Sequence, residues 1–335
     1  MISKIRTFTM NRTFLKTLSP IITLLLAASS LRGQEPAQSN RANGSANAPT
    51  TPNGAGQQRK WPQSKPEWLD PNYEAPNGAA YHTFASKVLG QEVSFLVWLP
   101  PGYEDESKRF PVIYWLHGMG ANQRGGAQMF VPQIEGAIKE GKLPPCIVVL
   151  VNGMVRSFYC DSVDSKVPME SVIIKDLIPH VDATYRTFAK REGRVIEGYS
   201  MGGYGAAHLG FKYPEIFGTV VINAGALIEP NLTNVPKDGP MYAAFGDDTA
   251  RRIAEYPLTL AKQNADKLRG QTRIRIGCGS LDSLLPRNKE LHDLLTELHI
   301  EHDYEVVPDV AHESPLYYRK LGTKVYEFHA KALAR

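Results

Sequence analysis

Residues 147–151 read Ile-Val-Val-Leu-Val, five aliphatic side chains in a row with no polar position among them. A strand sends successive side chains to opposite faces, so such a run fits only a strand buried on both sides, as in a parallel sheet covered by helices. Residues 93–99, 111–116, 146–151, 194–197, 218–222, 273–276 and 304–307 are all strand-like by this reading. Between them lie amphipathic helical patterns: Val172, Ile173, Leu177, Ile178 and Val181 within residues 171–186, and Leu291, Leu294, Leu295 and Leu298 within 287–298. Residues 316–333 form a further helical pattern at the end of the chain. Strand alternating with helix predicts a single α/β domain built on a mostly parallel, doubly wound sheet with helices on both faces, and such sheets place their sites at the carboxyl ends of strands.

The first 33 residues follow a different rule. They carry Lys4, Arg6, Arg12, Lys16 and Arg32 without one acid, then the apolar run Ile21, Ile22, Leu24, Leu25, Leu26, Ala27 and Ala28, then small residues. This is the pattern of a secretory signal peptide with cleavage expected near Ser30 or Gly33, and its apolar core falls short of the roughly 17 to 25 residues of a membrane span. A retained anchor is the alternative. Residues 34–65 shift to Gln, Asn, Ala, Pro, Gly, Ser and Thr, a composition that buries too little apolar surface to offset its ordering entropy, and read as a linker. Residues 66–335 are then the folded unit, in a secreted or periplasmic protein. The whole chain has 38 Lys and Arg against 34 Asp and Glu; without the five leader bases the count is 33 against 34. That balance argues against a nucleic-acid partner or an anionic membrane surface, both of which need a basic footprint.

Gly198-Tyr199-Ser200-Met201-Gly202 is a G-x-S-x-G motif, preceded by the strand-like residues 194–197 and followed by a helical pattern over 201–211. Strand, sharp turn and helix in that order predict a nucleophile elbow with Ser200 at its tip and a helix N-terminus behind it. A serine hydroxyl needs a base to take its proton and an acid to orient the base, and the elbow predicts the chain order Ser, acid, His. His312 lies in the short loop after the last strand pattern, at the expected carboxyl edge. His208, His292, His299 and His329 fall on helical patterns and His302 begins a strand, which suits satisfied or solvated histidines better. Asp282 follows the strand 273–276 through Gly277-Cys278-Gly279-Ser280-Leu281 and is the candidate acid, with capping of the next helix as its alternative role. Asp309 is too close to His312 along the chain to reach round its ring, and Asp247 and Asp248 follow an earlier strand.

The second oxyanion donor should leave an early central strand. Leu116-His117-Gly118-Met119-Gly120 fits, so the backbone N–H groups of Met119 and Met201 are the expected oxyanion donors, although a plain glycine-rich strand exit would read the same. Cys146, Cys160 and Cys278 lack the close pairing of a metal site and are too few for a disulfide framework. A Cys160–Cys278 bridge is conceivable, and burial as small hydrophobes is the simpler expectation. No metal and no organic cofactor is expected.

Four segments together resemble the esterase D-like branch of the α/β-hydrolase superfamily. They are Leu99-Pro100-Pro101-Gly102-Tyr103, Pro111-Val112-Ile113-Tyr114-Trp115-Leu116-His117-Gly118, Asp176-Leu177-Ile178-Pro179, and Gly198-Tyr199-Ser200-Met201-Gly202-Gly203-Tyr204-Gly205-Ala206. That branch includes feruloyl and acetylxylan esterases, S-formylglutathione hydrolases, enterochelin-type esterases and mycolyltransferases. The resemblance implies an eight-stranded hydrolase core, Ser200 as nucleophile, Asp282 and His312 as its partners, and Met119 and Met201 amides as oxyanion donors. With the export signal, it is closer to secreted polysaccharide-associated members, which implies acetyl or feruloyl esters as substrates.

Residues 152–161 leave another strand at the same edge, and Arg156, Tyr159 and Asp161 are the candidate substrate contacts there, with loop packing as the alternative. The expected activity is that of a secreted serine carboxylesterase working through an acyl-enzyme. An acyltransferase with the same triad, or an exported binding protein on a hydrolase fold, would share these features.

Overall fold

A computed structural model describes residues 67–70, 74–232, 235–237 and 239–333. The leader 1–33 and the linker 34–65 lie outside the described residues. Eight strands form one sheet: β1 Ala80–Ser86, β2 Gln91–Trp98, β3 Val112–Leu116, β4 Ile147–Val151, β5 Arg194–Tyr199, β6 Thr219–Asn223, β7 Arg273–Gly279 and β8 His302–Val307. Their spatial order is β1-β2-β4-β3-β5-β6-β7-β8. β1 pairs antiparallel with β2, and β2 antiparallel with β4. Every later pairing is parallel. This is the mostly parallel α/β sheet that the aliphatic runs predict, and its eight strands match the number the resemblance implies.

Burial follows the period of two. Tyr114 and Leu116 of β3 join Phe95, Val97, Val149 and Ile196 in one core layer, while Ile113 and Trp115 join Leu96, Trp98, Val148, Leu150 and Val195 in the layer on the other face. Both layers are closed to solvent, and each such side chain contributes about 1.5 to 3 kcal/mol. Register is fixed strongly, because a slip by one residue would exchange the two layers.

Several elements differ from the sequence reading. β1 carries no clean apolar alternation, being exposed at four of its seven positions as an edge strand. The pattern at 171–186 is a composite: Met169–Ser171 and Ile178–Thr184 are α-helical and flank a π-helical turn, Val172–Leu177. Pro179 stands in the first turn of the second piece, where its missing N–H costs least. The C-terminal pattern splits into Ser314–Leu321 and Lys324–Leu333 at Gly322, whose φ of 57° favours glycine. His299 sits beyond the end of the helix Leu285–Glu297. Cys146, Cys160 and Cys278 are free and buried, with Cys278 inside β7 and no bridge to Cys160.

Candidate active site

β5 ends at Tyr199, the chain reverses at Ser200 with φ 60° and ψ −117°, and the helix Met201–Lys212 begins at the next residue. A positive φ outside glycine costs on the order of 1 to 3 kcal/mol and survives only where its surroundings hold it. Here the Ser200 N–H donates to Asn223 O at 3.0 Å, and Ser200 O accepts from Tyr204 N–H at 3.0 Å and Ala226 N–H at 2.9 Å. The flanking glycines are a steric requirement. A Cβ at Gly198 would stand 2.1 Å from Gly202 O, and one at Gly202 would stand 2.0 Å from Leu116 O.

The loops that carry the other two residues are joined to each other. Ser280 N–H donates to Val307 O at 2.8 Å, Leu281 N–H to Val310 O at 2.9 Å, and Asp309 N–H to Ser280 Oγ at 2.9 Å. Asp282 and His312 thereby meet at the carboxyl ends of β7 and β8. His312 Nδ1 lies 2.7 Å from Asp282 Oδ2, and His312 Nε2 lies 2.8 Å from Ser200 Oγ. A carboxylate only accepts, so Nδ1 carries the hydrogen and Nε2 offers its lone pair to the serine hydroxyl. Asp282 Oδ1 also accepts from Leu284 N–H at 2.9 Å, so the carboxylate closes the turn that leads to the helix Leu285–Glu297 while its other oxygen faces His312; it makes no side-chain cap to that helix. The Asp282 side chain is fully buried while that of His312 is 38% exposed. The His312 ring rests on Tyr199, centroids 5.1 Å apart. Burial, with the Asp282 charge adding to it, holds the Tyr199 phenol far above its ordinary pKa, so it is a neutral shelf.

Met201 opens its helix and its N–H has no intrahelical acceptor. On the other side of Ser200, the loop after β3 is pinned by Gly120 N–H to Val155 O at 3.1 Å and Ala121 N–H to Gly118 O at 3.2 Å, while a Cβ at Gly118 would lie 3.5 Å from Ser200 Cβ. Met119 is the next residue of that loop after Gly118. His117 anchors the loop from below: Gly153 N–H donates to its Nε2 at 3.1 Å. Its other nitrogen, 2.9 Å from Gly118 O, therefore holds the hydrogen. Burial lowers the His117 pKa to about 4, which keeps the ring neutral and able to accept.

The proposed substrate contacts fare differently. Tyr159 is fully buried, its OH donates to His117 O at 2.9 Å, and Gly153 and Gly205 leave the space for its ring, where a Cβ would approach to 2.3 Å. It supports the loop after β3 from beneath and is closed to solvent. Asp161 spends its carboxylate on Ser171 N–H at 2.9 Å and Ser171 Oγ at 2.7 Å, so it ties down a helix start. Arg156 is half-buried, next to Val155, whose carbonyl holds the loop after β3. His117, Tyr199 and Asn223 are the residues for which sequence reasoning assigned no such supporting role; the small residues at 153 and 205 were the available signal for the Tyr159 ring.

Among the described residues, one group has the donor set of a metal site: Glu170, His208 and Glu255. The Lys212 ammonium already occupies it, 2.9 Å from Glu170 and 2.7 Å from Glu255. Burial disfavours the charge on His208, but its contacts with Cys160 and Glu170 outweigh this and raise its pKa well above the ordinary value. Two cations thus balance two carboxylates, and the cluster reads as an ion-pair knot.

The Esterase family model, described as "Putative esterase", matches residues 86–328. An endo-1,4-beta-xylanase/feruloyl esterase of Xylanibacter ruminicola is 31% identical over 46% of this chain and 22% of its own length. An acetyl esterase of Caldicellulosiruptor saccharolyticus is 26% identical over 66% of this chain and 87% of its own length. The chain spans 22% of the first curated relative it matches and 54% of the next. A solved ferulic acid esterase superposes with a TM-score of 0.67 at 22% identity, covering 76% of this chain and 98% of the other. Sheet order, elbow and family match agree, and the chain belongs to the Esterase family of α/β-hydrolase-fold proteins.

Proposed function

We propose that this protein is a serine carboxylesterase. The observation that carries the reading is His312 bridging Ser200 Oγ at 2.8 Å and Asp282 Oδ2 at 2.7 Å, with the nucleophile held in a positive-φ elbow. Ser200 Oγ attacks the ester carbonyl carbon as its proton passes to His312 Nε2, and Asp282 stabilises the resulting imidazolium. The oxyanion is met by the Met119 and Met201 N–H groups. Collapse of the tetrahedral adduct expels the alkoxide, which takes the proton from His312 and leaves an acyl group on Ser200. Water then adds to the acyl carbon with His312 as base, and the acid departs as Ser200 recovers its proton.

Acetyl or feruloyl esters carried on polysaccharide, or related small esters, are the proposed substrates, a class favoured by the two relatives' names and by the leader pattern. Arg156, on the rim beside the oxyanion loop, is the proposed polar contact. The protein is exported, residues 1–33 being removed and 34–65 serving as a tether to the folded unit. The test is hydrolysis of p-nitrophenyl acetate, a longer p-nitrophenyl ester, methyl ferulate and acetylated xylan by wild type beside Ser200→Ala. Turnover that disappears in the variant supports the reading and ranks the acyl groups; turnover that persists in the variant overturns it.

A further inference from the structure

Directly beneath the elbow lies a carboxylate for which ester cleavage has no obvious use. Glu197 sits in β5, three residues before Ser200, and is fully buried. Its Oε1 accepts from Asn223 Nδ2 at 2.9 Å and from Tyr318 OH at 3.1 Å. Its Oε2 lies 2.7 Å from Nε2 of His329, itself fully buried, though off the axis of a well-aligned hydrogen bond. His329 Nδ1 faces Val325 O at 2.5 Å and must be the donor there. A charged group this deep is expensive unless every partner is in place, and removing one partner leaves the others unsatisfied.

Both arms of this network end at the reacting groups. Asn223 closes β6: its side chain is clamped by Glu197 on one side and by Tyr317 OH, 2.9 Å from its Oδ1, on the other, while its backbone oxygen is the acceptor for Ser200 N–H. The second arm runs through Tyr317 and Tyr318, whose rings lie 5.5 Å and 6.3 Å from that of Tyr199, the shelf under His312. One carboxylate is therefore hydrogen-bonded both to the residue whose carbonyl holds the Ser200 backbone and to a member of the aromatic stack under His312.

We propose that Glu197 is a positioning residue for ester cleavage, acting through Asn223 on Ser200 and through Tyr318 and Tyr199 on His312. This rests on the reading of Ser200 as nucleophile. Displacements of 1 Å at reacting atoms cost about a hundredfold, and Glu197→Gln, which keeps the shape and one acceptor oxygen, produces a smaller one. The expected result with p-nitrophenyl acetate is a fall in kcat of about tenfold with KM within about twofold, and a parallel fall in the rate of irreversible phosphonylation by a fluorophosphonate. Leu295→Ala, a buried truncation remote from the site, supplies a matched loss of stability and should leave both rates near wild type at temperatures where each protein is folded. Should Glu197→Gln not fold, Tyr318→Phe removes only one hydroxyl and should lower kcat about threefold at constant KM. Wild-type kcat and labelling rate in the Glu197→Gln protein, or in Tyr318→Phe where the first does not fold, overturn the proposal. A fall no greater than that of Leu295→Ala also overturns it. Ser200→Ala run in parallel separates the two questions, since activity surviving there overturns the nucleophile itself.

Discussion

The two ends of one helix, Met201–Lys212, make the same contact to opposite effect. At its N-terminus His312 stands 2.7 Å from Asp282, and near its C-terminus His208 stands 2.7 Å from Glu170. What differs is the second ring nitrogen and the access to it. His312 presents Nε2 to the Ser200 hydroxyl from a partly exposed position, whereas His208 is fully buried and its Nδ1 donates to Glu255 O at 3.0 Å. A histidine-carboxylate pair becomes a proton shuttle only when its far nitrogen meets a group that can give up a proton at a surface open to substrate. A carbonyl oxygen has no proton to give, so the same pair at the other end is structural.

Exchanging the roles in experiment is the strongest way to break that contrast. His312→Gln should cost a thousandfold or more in ester turnover with little change in unfolding free energy, while His208→Gln should leave kcat within about twofold and lower stability by about 3 kcal/mol, as breaking a buried ion pair does. Steady-state kinetics and guanidinium denaturation on the two proteins check it; the reverse pattern would place the chemistry at the wrong end of the helix. Gly202→Ala attacks the elbow itself. Its Cβ would collide with Leu116 O, and at least a hundredfold loss of kcat is expected even in the folded fraction.

Acid should reveal two buried groups in separate pH windows. Burial lowers His117 to about 4 from 6.5, so between those values the unfolded chain takes up a proton that the folded one refuses, and stability is lost as pH falls from 6.5 to 4. Glu170 is lowered to about 2 from 4.5 because its contacts with His208, Tyr213 and Lys212 outweigh its desolvation; its contribution is full above 4.5 and is lost as pH falls to 2. Each window is worth on the order of 3 kcal/mol. Denaturation midpoints measured from pH 7 to 2 should fall in two steps, with Glu170→Gln removing the lower one and leaving the upper. The smallest effect is expected at Asp161→Asn, which should lose about 1 kcal/mol of stability and keep kcat/KM within about twofold on every ester, because that carboxylate holds Ser171. A large change in KM there would restore it as a substrate contact.

The contrast also explains what could be read in the chain beforehand. The elbow, the mostly parallel character of the sheet and the choice of Asp282 and His312 as candidates follow from local signals: an aliphatic run, a glycine-flanked serine, a polar residue just past a strand. β1 escaped because an edge strand exposed along most of its length lacks the alternation that betrays a half-buried one. For Tyr159 the sequence offers a pocket contact and loop packing alike, since nothing local fixes the direction of the side chain; Phe158 and Tyr159 both take a positive φ, and the Tyr159 ring packs in the core, where Gly153 and Gly205 receive it. Glu197, Asn223 and Tyr318 are spread over more than a hundred residues, and nothing local in the chain announces that they meet.

The claim that Ser200 carries the acyl group is tested most directly by trapping it. Full-length protein mixed with a slow p-nitrophenyl ester, quenched in acid within the first turnover and mapped by peptide mass spectrometry should carry one acyl mass on the peptide containing Ser200, and none in Ser200→Ala. Release of the alcohol with no adduct on Ser200, or with the adduct on another residue, would contradict it.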